Sequence, residues 1–207
     1  MVTLQPRRAF KQELPVRFSE ARQRDPSVLV ELWTMDEHRV GLIPILRVVW
    51  AKRGHRPVAV ARPRYEWLYL AGFVHPESGR TSWWLLPTIN AQVFSATLKA
   101  FAEEQQVGPK KRILLVLDGA GWHTGSEVEC PEGVELVSLP PYSPELQPAE
   151  HLWELCDEAL ANKNFKSLAE LTSTLGERCC QLTQQTQTIR STTLFHWWPT
   201  TQDAATL

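Results

Sequence analysis

Three acidic residues stand at places where a fold can bring carboxylates together. Asp36 follows the β-rich run Val28-Leu-Val-Glu-Leu-Trp-Thr-Met35, Asp118 closes the apolar run Lys111-Arg-Ile-Leu-Leu-Val-Leu117, and Glu150 sits just inside a predicted helix that opens at Pro148. If the first and fourth strands are neighbours, Asp36 and Asp118 lie side by side and the helix carries Glu150 across them. Carboxylates that converge without a cationic partner repel one another and raise each other's pKa, an unfavourable state unless divalent metal sits among them. Oxygen donors of this kind suit Mg2+ or Mn2+, which keep water ligands and accept phosphate oxygens directly. Two such ions about 3.5–4 Å apart stabilise the attacking and leaving oxygens of an in-line phosphoryl displacement. Each acid alone has a plainer reading: a solvated strand end for Asp36, a turn with Gly119 for Asp118, and an N-terminal glutamate serving its own helix's donors for Glu150 if Gln147 caps.

The elements that must position these acids follow from pattern. Val28–Met35 predicts a strand running into Asp36. Glu66-Trp-Leu-Tyr-Leu-Ala-Gly-Phe-Val74 and Thr81-Ser-Trp-Trp-Leu-Leu86 predict two more strands, joined by a hairpin turn containing Pro76 and Gly79. Asn90 caps a predicted helix through about Gln106, with Val93, Phe94, Thr97, Leu98 and Phe101 at helical spacing. The continuous apolar run before Asp118 predicts a central strand buried on both faces. Val134-Glu-Leu-Val-Ser138 adds a short strand, and Ser167 to Gln184 a late helix. This order predicts an α/β fold of ribonuclease H-like type, a five-stranded mixed sheet flanked by helices. Residues 1–27, polar, basic and interrupted by Pro6, Pro15 and Pro26, read as an arm or lead-in helix, 28–198 as the catalytic domain and 199–207 as a tail.

At 207 residues, 43% hydrophobic and 22% charged, the chain has room for one full core and is not of disordered composition. It has no apolar run long enough to span a bilayer and no signal-peptide pattern, so the expected location is cytoplasmic, at the nucleoid, with no membrane partner. Cys130, Cys156, Cys179 and Cys180 have neither zinc-site nor disulfide spacing. The net charge of −1 hides an uneven distribution: Arg39, Arg47, Lys52, Arg53, Arg56, Arg62 and Arg64 fall in a stretch without an acid, a candidate DNA phosphate-contacting surface. Of the nine tryptophans, Trp33, Trp67 and one of Trp83 and Trp84 are expected in the core.

The words around the acids sharpen this. Trp33-Thr-Met-Asp-Glu-His-Arg39, Leu114-Leu-Val-Leu-Asp-Gly-Ala-Gly-Trp-His123 and Leu139-Pro-Pro-Tyr-Ser-Pro-Glu-Leu-Gln-Pro-Ala-Glu-His-Leu-Trp153 resemble, in order, the three catalytic motifs of insertion-sequence DDE transposases, relatives of the mariner elements. Trp50-Ala-Lys-Arg-Gly-His-Arg-Pro57 and Tyr65-Glu-Trp-Leu-Tyr69 extend the resemblance, which covers about Phe10 to Trp198. It implies a metal-dependent DNA endonuclease and strand-transfer enzyme, with Asp36, Asp118 and Glu150 as metal-holding catalytic acids and Glu154 as rival for the third place. His123, Trp122 and Gly119 would support the acids from behind. The family usually has asparagine where this chain has Gly119 and Gln147; a lost outer partner of a metal ligand weakens metal binding or activity by roughly 10–100-fold. The resemblance further implies transposon ends and target DNA as partners, a homodimer in the active complex, and an end-reading helix-turn-helix region encoded separately or joined by frameshift. Two other readings stay open: a fragmentary or inactive remnant that only binds DNA, and a stand-alone ribonuclease H-like nuclease.

Overall fold

A computed structural model describes residues 5–55, 58 and 64–202. Five strands form one sheet in the order β3-β2-β1-β4-β5. β1 spans Leu29–Gly41, β2 Trp67–His75, β3 Arg80–Leu86, β4 Lys111–Leu117 and β5 Val134–Ser138. The first three are antiparallel neighbours, whereas β4 and β5 run parallel to β1, so the sheet is mixed.

β1 is longer than its apolar run predicts. Leu29–Thr34 pair with β4, and Thr34–Gly41 pair with β2. The strand therefore continues past Asp36, held on one side only, and Asp36 lies within it rather than at its end. The central strands are covered on both faces, as their continuous hydrophobicity requires. On one face α2 (Ala91–Glu104) sets Phe94, Leu98 and Phe101 against Trp33, Met35, Phe73 and Leu115. Asn90 caps it, accepting from the Val93 backbone N–H. The short α3, Gly121–Thr124, lies on the same side and contacts α2.

The opposite face carries two clusters. α1 (Gln5–Gln23) packs Phe10, Leu14 and Phe18 on Val30, Leu32, Leu114 and Val116, joined by Trp198. Pro15 lies inside this helix without breaking it, because the i, i+4, i+8 apolar stripe is anchored in the core. The core thus draws on residues before 28. The second cluster sets α4 (His151–Asp157), α5 (Leu168–Thr183) and α6 (Thr186–Thr193) over the β1–β2 hairpin through Leu152, Cys156, Leu171, Leu175, Cys179 and Ile189. The four cysteines are free thiols, two of them buried here. Trp33 is fully buried, but Trp67 is 44% exposed at the end of β2. Trp83 and Trp84 point to opposite faces, and both are partly covered because both faces carry helices. No helix among the described residues is long and apolar enough to cross a membrane.

Candidate active site

The site forms where β1 and β4 part company. The last parallel pair is Thr34 with Val116; Asp36 lies two residues beyond it on β1, and Asp118 two residues beyond it, just past the end of β4. Each acid is then held by a different face of the sheet.

Asp36 is partly buried and is approached from α4. The Trp153 indole N–H donates to its Oδ2 at 2.9 Å. Burial raises its pKa from the ordinary value to about 7; the Trp153 bond works against that rise, and the charges of Glu37 and Glu150 add to it. Asp118 is approached from α3. Its Oδ1 accepts from the Ala120 backbone N–H at 3.0 Å and from His123 Nδ1 at 2.7 Å. The His123 bond holds its pKa below the ordinary value.

His123 is buried, and its other ring nitrogen lies 2.9 Å from Glu37 Oε1. Burial disfavours the charged ring, but the hydrogen bonds to Asp118 and Glu37 outweigh it and raise the pKa to about 9. The ring is therefore an imidazolium at neutral pH, donating to both carboxylates. Strand alternation puts Glu37 on the opposite face of β1 from Asp36, where it meets His123 beneath Phe94, whose ring centroid lies 4.5 Å away. Trp122 stands 37% exposed with its ring edge-on to His123. At Gly119 an added β-carbon would meet nothing within 4 Å.

Glu150 closes a 3-10 turn, Pro148–Glu150, that leads into α4. The helix predicted from Pro148 thus begins more tightly wound, and Gln147 does not cap it with its side chain. Gln147 instead is buried against β1: its amide donates to the Met35 carbonyl at 2.9 Å, and its oxygen accepts from the Thr34 hydroxyl. This clasp ties the Glu150 loop to the two residues before Asp36. Burial raises the Glu150 pKa, and the charges of Asp118 and Glu145 add to the rise against His151. Asp36 and Asp118 both stand in electrostatic reach of Glu150, and the carbonyl of its rival Glu154 accepts from Arg47.

Among the described residues no three His, Cys, Asp or Glu side chains close into a ready-made metal-binding group. The donors nevertheless fit a hard divalent cation in kind: three carboxylates, two of them held above their ordinary pKa by burial and neighbouring negative charge. Among the described residues, Asp118 Oδ2, Asp36 Oδ1 and the Glu150 carboxylate take no side-chain hydrogen bond. Sequence reasoning passed over Glu37, Trp153 and the clasp role of Gln147. The signal for Glu37 was available in the Asp36-Glu37 pair, since alternation aims neighbours at opposite faces.

The basic stretch is divided. Arg47 and Arg64 direct their guanidinium groups at backbone carbonyls of Glu154, Phe165 and Lys166, and Arg39 lies over the Trp67 ring at 5.3 Å. Lys52 and Arg53 are exposed. Arg56 and Arg62 lie outside the described residues.

A family model described as DDE superfamily endonuclease matches residues 31–172, which include all three acids. An uncharacterized protein, y4pE/y4sA, of Sinorhizobium fredii (strain NBRC 101917 / NGR234) is 31% identical over 136 residues, covering 63% of this chain and 96% of that protein. The Mos1 mariner paired end complex with Mn superposes with a TM-score of 0.60 at 19% identity, over 88% of this chain and 59% of that one. The Mos1 Strand Transfer Complex gives 0.54 at 18% identity, over 89% and 61%. The chain thus spans about three fifths of the solved chains it resembles, and the likeness shows a shared fold.

Proposed function

Because the chain belongs to the DDE superfamily endonucleases, we propose that its transposase-like catalytic domain cleaves a DNA phosphodiester and joins the freed 3′-hydroxyl to target DNA, dependent on Mg2+ or Mn2+. The observation that supports this reading is that Asp36 and Asp118 each lie two residues past the last β1–β4 pair, with Glu150 in electrostatic reach of both. Asp36, Asp118 and Glu150 are the residues that would hold the metal. When bound, divalent cations supply charge stabilisation to the attacking and leaving oxygens of an in-line displacement.

The chain's own groups prepare the acids. His123 and the Ala120 N–H occupy Oδ1 of Asp118, leaving Oδ2 without a side-chain donor among the described residues. Glu37 holds the far side of His123, which fixes the ring and keeps it charged. Trp153 holds Asp36, and the Gln147 clasp fixes the spacing between the Glu150 loop and β1. Asp36, raised to about 7, sheds its proton to become a ligand. Arg39, Lys52, Arg53, Arg56 and Arg62 would meet DNA phosphates, while reading of the transposon ends is assigned to a separately encoded or frameshift-joined helix-turn-helix region, in a homodimeric complex.

The test is nicking of supercoiled plasmid with Mn2+ or Mg2+, comparing the chain with Asp36→Ala, Asp118→Ala and Glu150→Ala, followed by joining of a pre-cut end to plasmid. Nicking by the wild type alone supports the reading. Nicking without joining leaves a ribonuclease H-like nuclease, and no nicking under any metal leaves a DNA-binding remnant.

A further inference from the structure

Trp153 does more than fill space beside Asp36. Its ring is fitted between β2 and β1 by features that lie far apart in sequence. Gly72, the β2 partner of Asp36, leaves bare backbone under the indole: a β-carbon there would lie 2.9 Å from Cη2 of Trp153. On the other side the His38 ring stacks on the indole, with centroids 5.1 Å apart and planes at 14°. His38 is itself tied to Asp157 at 3.0 Å, one helical turn beyond Trp153 on α4. Asp36 and His38 share one face of β1, and Trp153 and Asp157 share one face of α4. Two cross-links between the same strand and helix thus fix the indole in one place, with its N–H aimed at Oδ2.

The positive end of the N–H dipole makes the neighbourhood of Oδ2 unfavourable for a cation. Besides the indole, the Glu37 backbone N–H also bonds the Asp36 carboxylate; Oδ1 takes no side-chain donor among the described residues and is the oxygen that a dication would approach. Ca2+ takes six to eight oxygens and uses carboxylates through both oxygens, whereas Mg2+ demands a tight octahedron that single-oxygen carboxylates and water supply. We propose that Trp153 is a positioning residue that makes Asp36 a one-oxygen ligand and thereby sets the preference of the site for Mg2+ or Mn2+ over Ca2+. This rests on the reading of Asp36 as a metal ligand.

The experiment measures Mn2+ binding to the full EDTA-stripped chain from the electron paramagnetic resonance signal of free Mn2+, then displacement by Ca2+. Wild type should yield its Mn2+ only to a large excess of Ca2+. Trp153→Phe keeps the ring between Gly72 and His38 but has no N–H. The Ca2+ excess it needs should fall about tenfold or more, the scale on which outer partners of metal ligands act. Equal weakening of both ions, with the ratio unchanged, would mean a packing role only and overturn the inference. Should Trp153→Phe not fold, 15N-tryptophan-labelled wild type titrated with Mg2+ decides: the Trp153 indole resonance should keep its hydrogen-bonded downfield position, and its loss on saturation would overturn the inference. A wild-type chain that binds no Mn2+ would remove the metal reading itself, an outcome distinct from an unchanged ratio.

Discussion

Replacing Asp36 with asparagine should make the metal-free protein more stable, and the gain should depend on pH. Asp36 rises from an ordinary 3.8 to about 7 in the fold, chiefly through burial. A group raised in the folded state contributes stability that is fully present below its unfolded pKa and lost as pH climbs through the folded value. The loss runs at about 1.4 kcal/mol per pH unit across a window of about three units, which caps it near 4 kcal/mol. Asp36 is only partly buried, so solvent screening reduces this, and about 2–4 kcal/mol is expected at pH 8. Asparagine keeps an oxygen for the Trp153 N–H but cannot ionise. Urea unfolding in EDTA at pH 5, 6, 7 and 8 should show the variant pulling ahead of wild type up to about pH 7, with a constant lead above it. Mn2+ at about a thousand times its Kd should reverse the order, since it stabilises the wild type by about 4.1 kcal/mol. A variant no more stable than wild type at pH 8 in EDTA, or a lead equal at pH 5 and pH 8, would refute the reasoning.

Four further outcomes are expected. His123→Ala should cost about 3–5 kcal/mol in urea unfolding, because it strands the buried Glu37 carboxylate; adding Glu37→Gln should recover part of that cost. His123, raised to about 9, contributes stability held below its unfolded pKa near 6.5 and lost as pH rises through 9, so His123→Gln should flatten the alkaline limb of the stability profile. Gly119→Asn, which enters open space, should leave urea stability within about 0.5 kcal/mol while raising metal-dependent nicking; a drop in nicking would count against a supporting place for that side chain. With Arg47 and Arg64 engaged by carbonyls, the double variant Lys52→Ala, Arg53→Ala should flatten the fall of log affinity for duplex DNA against log salt by about 1.8, at about 0.9 per lost phosphate contact, on any sequence.

The parts of this site that were legible in the sequence are those written in local pattern. Asn90 and the apolar positions after it specify α2 because cap and stripe lie within one helix, and the apolar run before Asp118 specifies β4 because a strand covered on both faces needs no alternation. The far half of β1 was hidden: Asp36-Glu-His-Arg39 carries no apolar residue, and its strand character comes from pairing with β2 about thirty-five residues later. Gln147 follows a turn and precedes a proline, where a capping role is the local expectation, but a buried carbonyl at Met35 and hydroxyl at Thr34 claim its amide. The indole of Trp153 has its seat only because residue 72 is glycine, a fact that no window around residue 153 contains. Pro15 left helix and arm both open in the sequence; the helix forms because the local cost of a helix proline is exceeded by burial of Phe10, Leu14 and Phe18.

The cluster that buries those three side chains also joins early and late segments of the chain. Phe10 meets the Trp197 ring edge-on, Lys11 lies over the same ring, and Arg22 donates to the Thr201 carbonyl. During synthesis the first helix can dock on β1 and β4 once these are made, but the side of its cluster at Phe10 stays open until Leu194 to Trp198 emerge. With ribosomes adding about 5–20 residues per second, that wait lasts roughly 10 to 40 seconds, an interval in which the part of the cluster left open invites chaperones and aggregation. Maturation of this domain is consequently timed by its last aromatic residues, and a ribosome stalled near residue 190 would hold a sheet whose first helix has no lid.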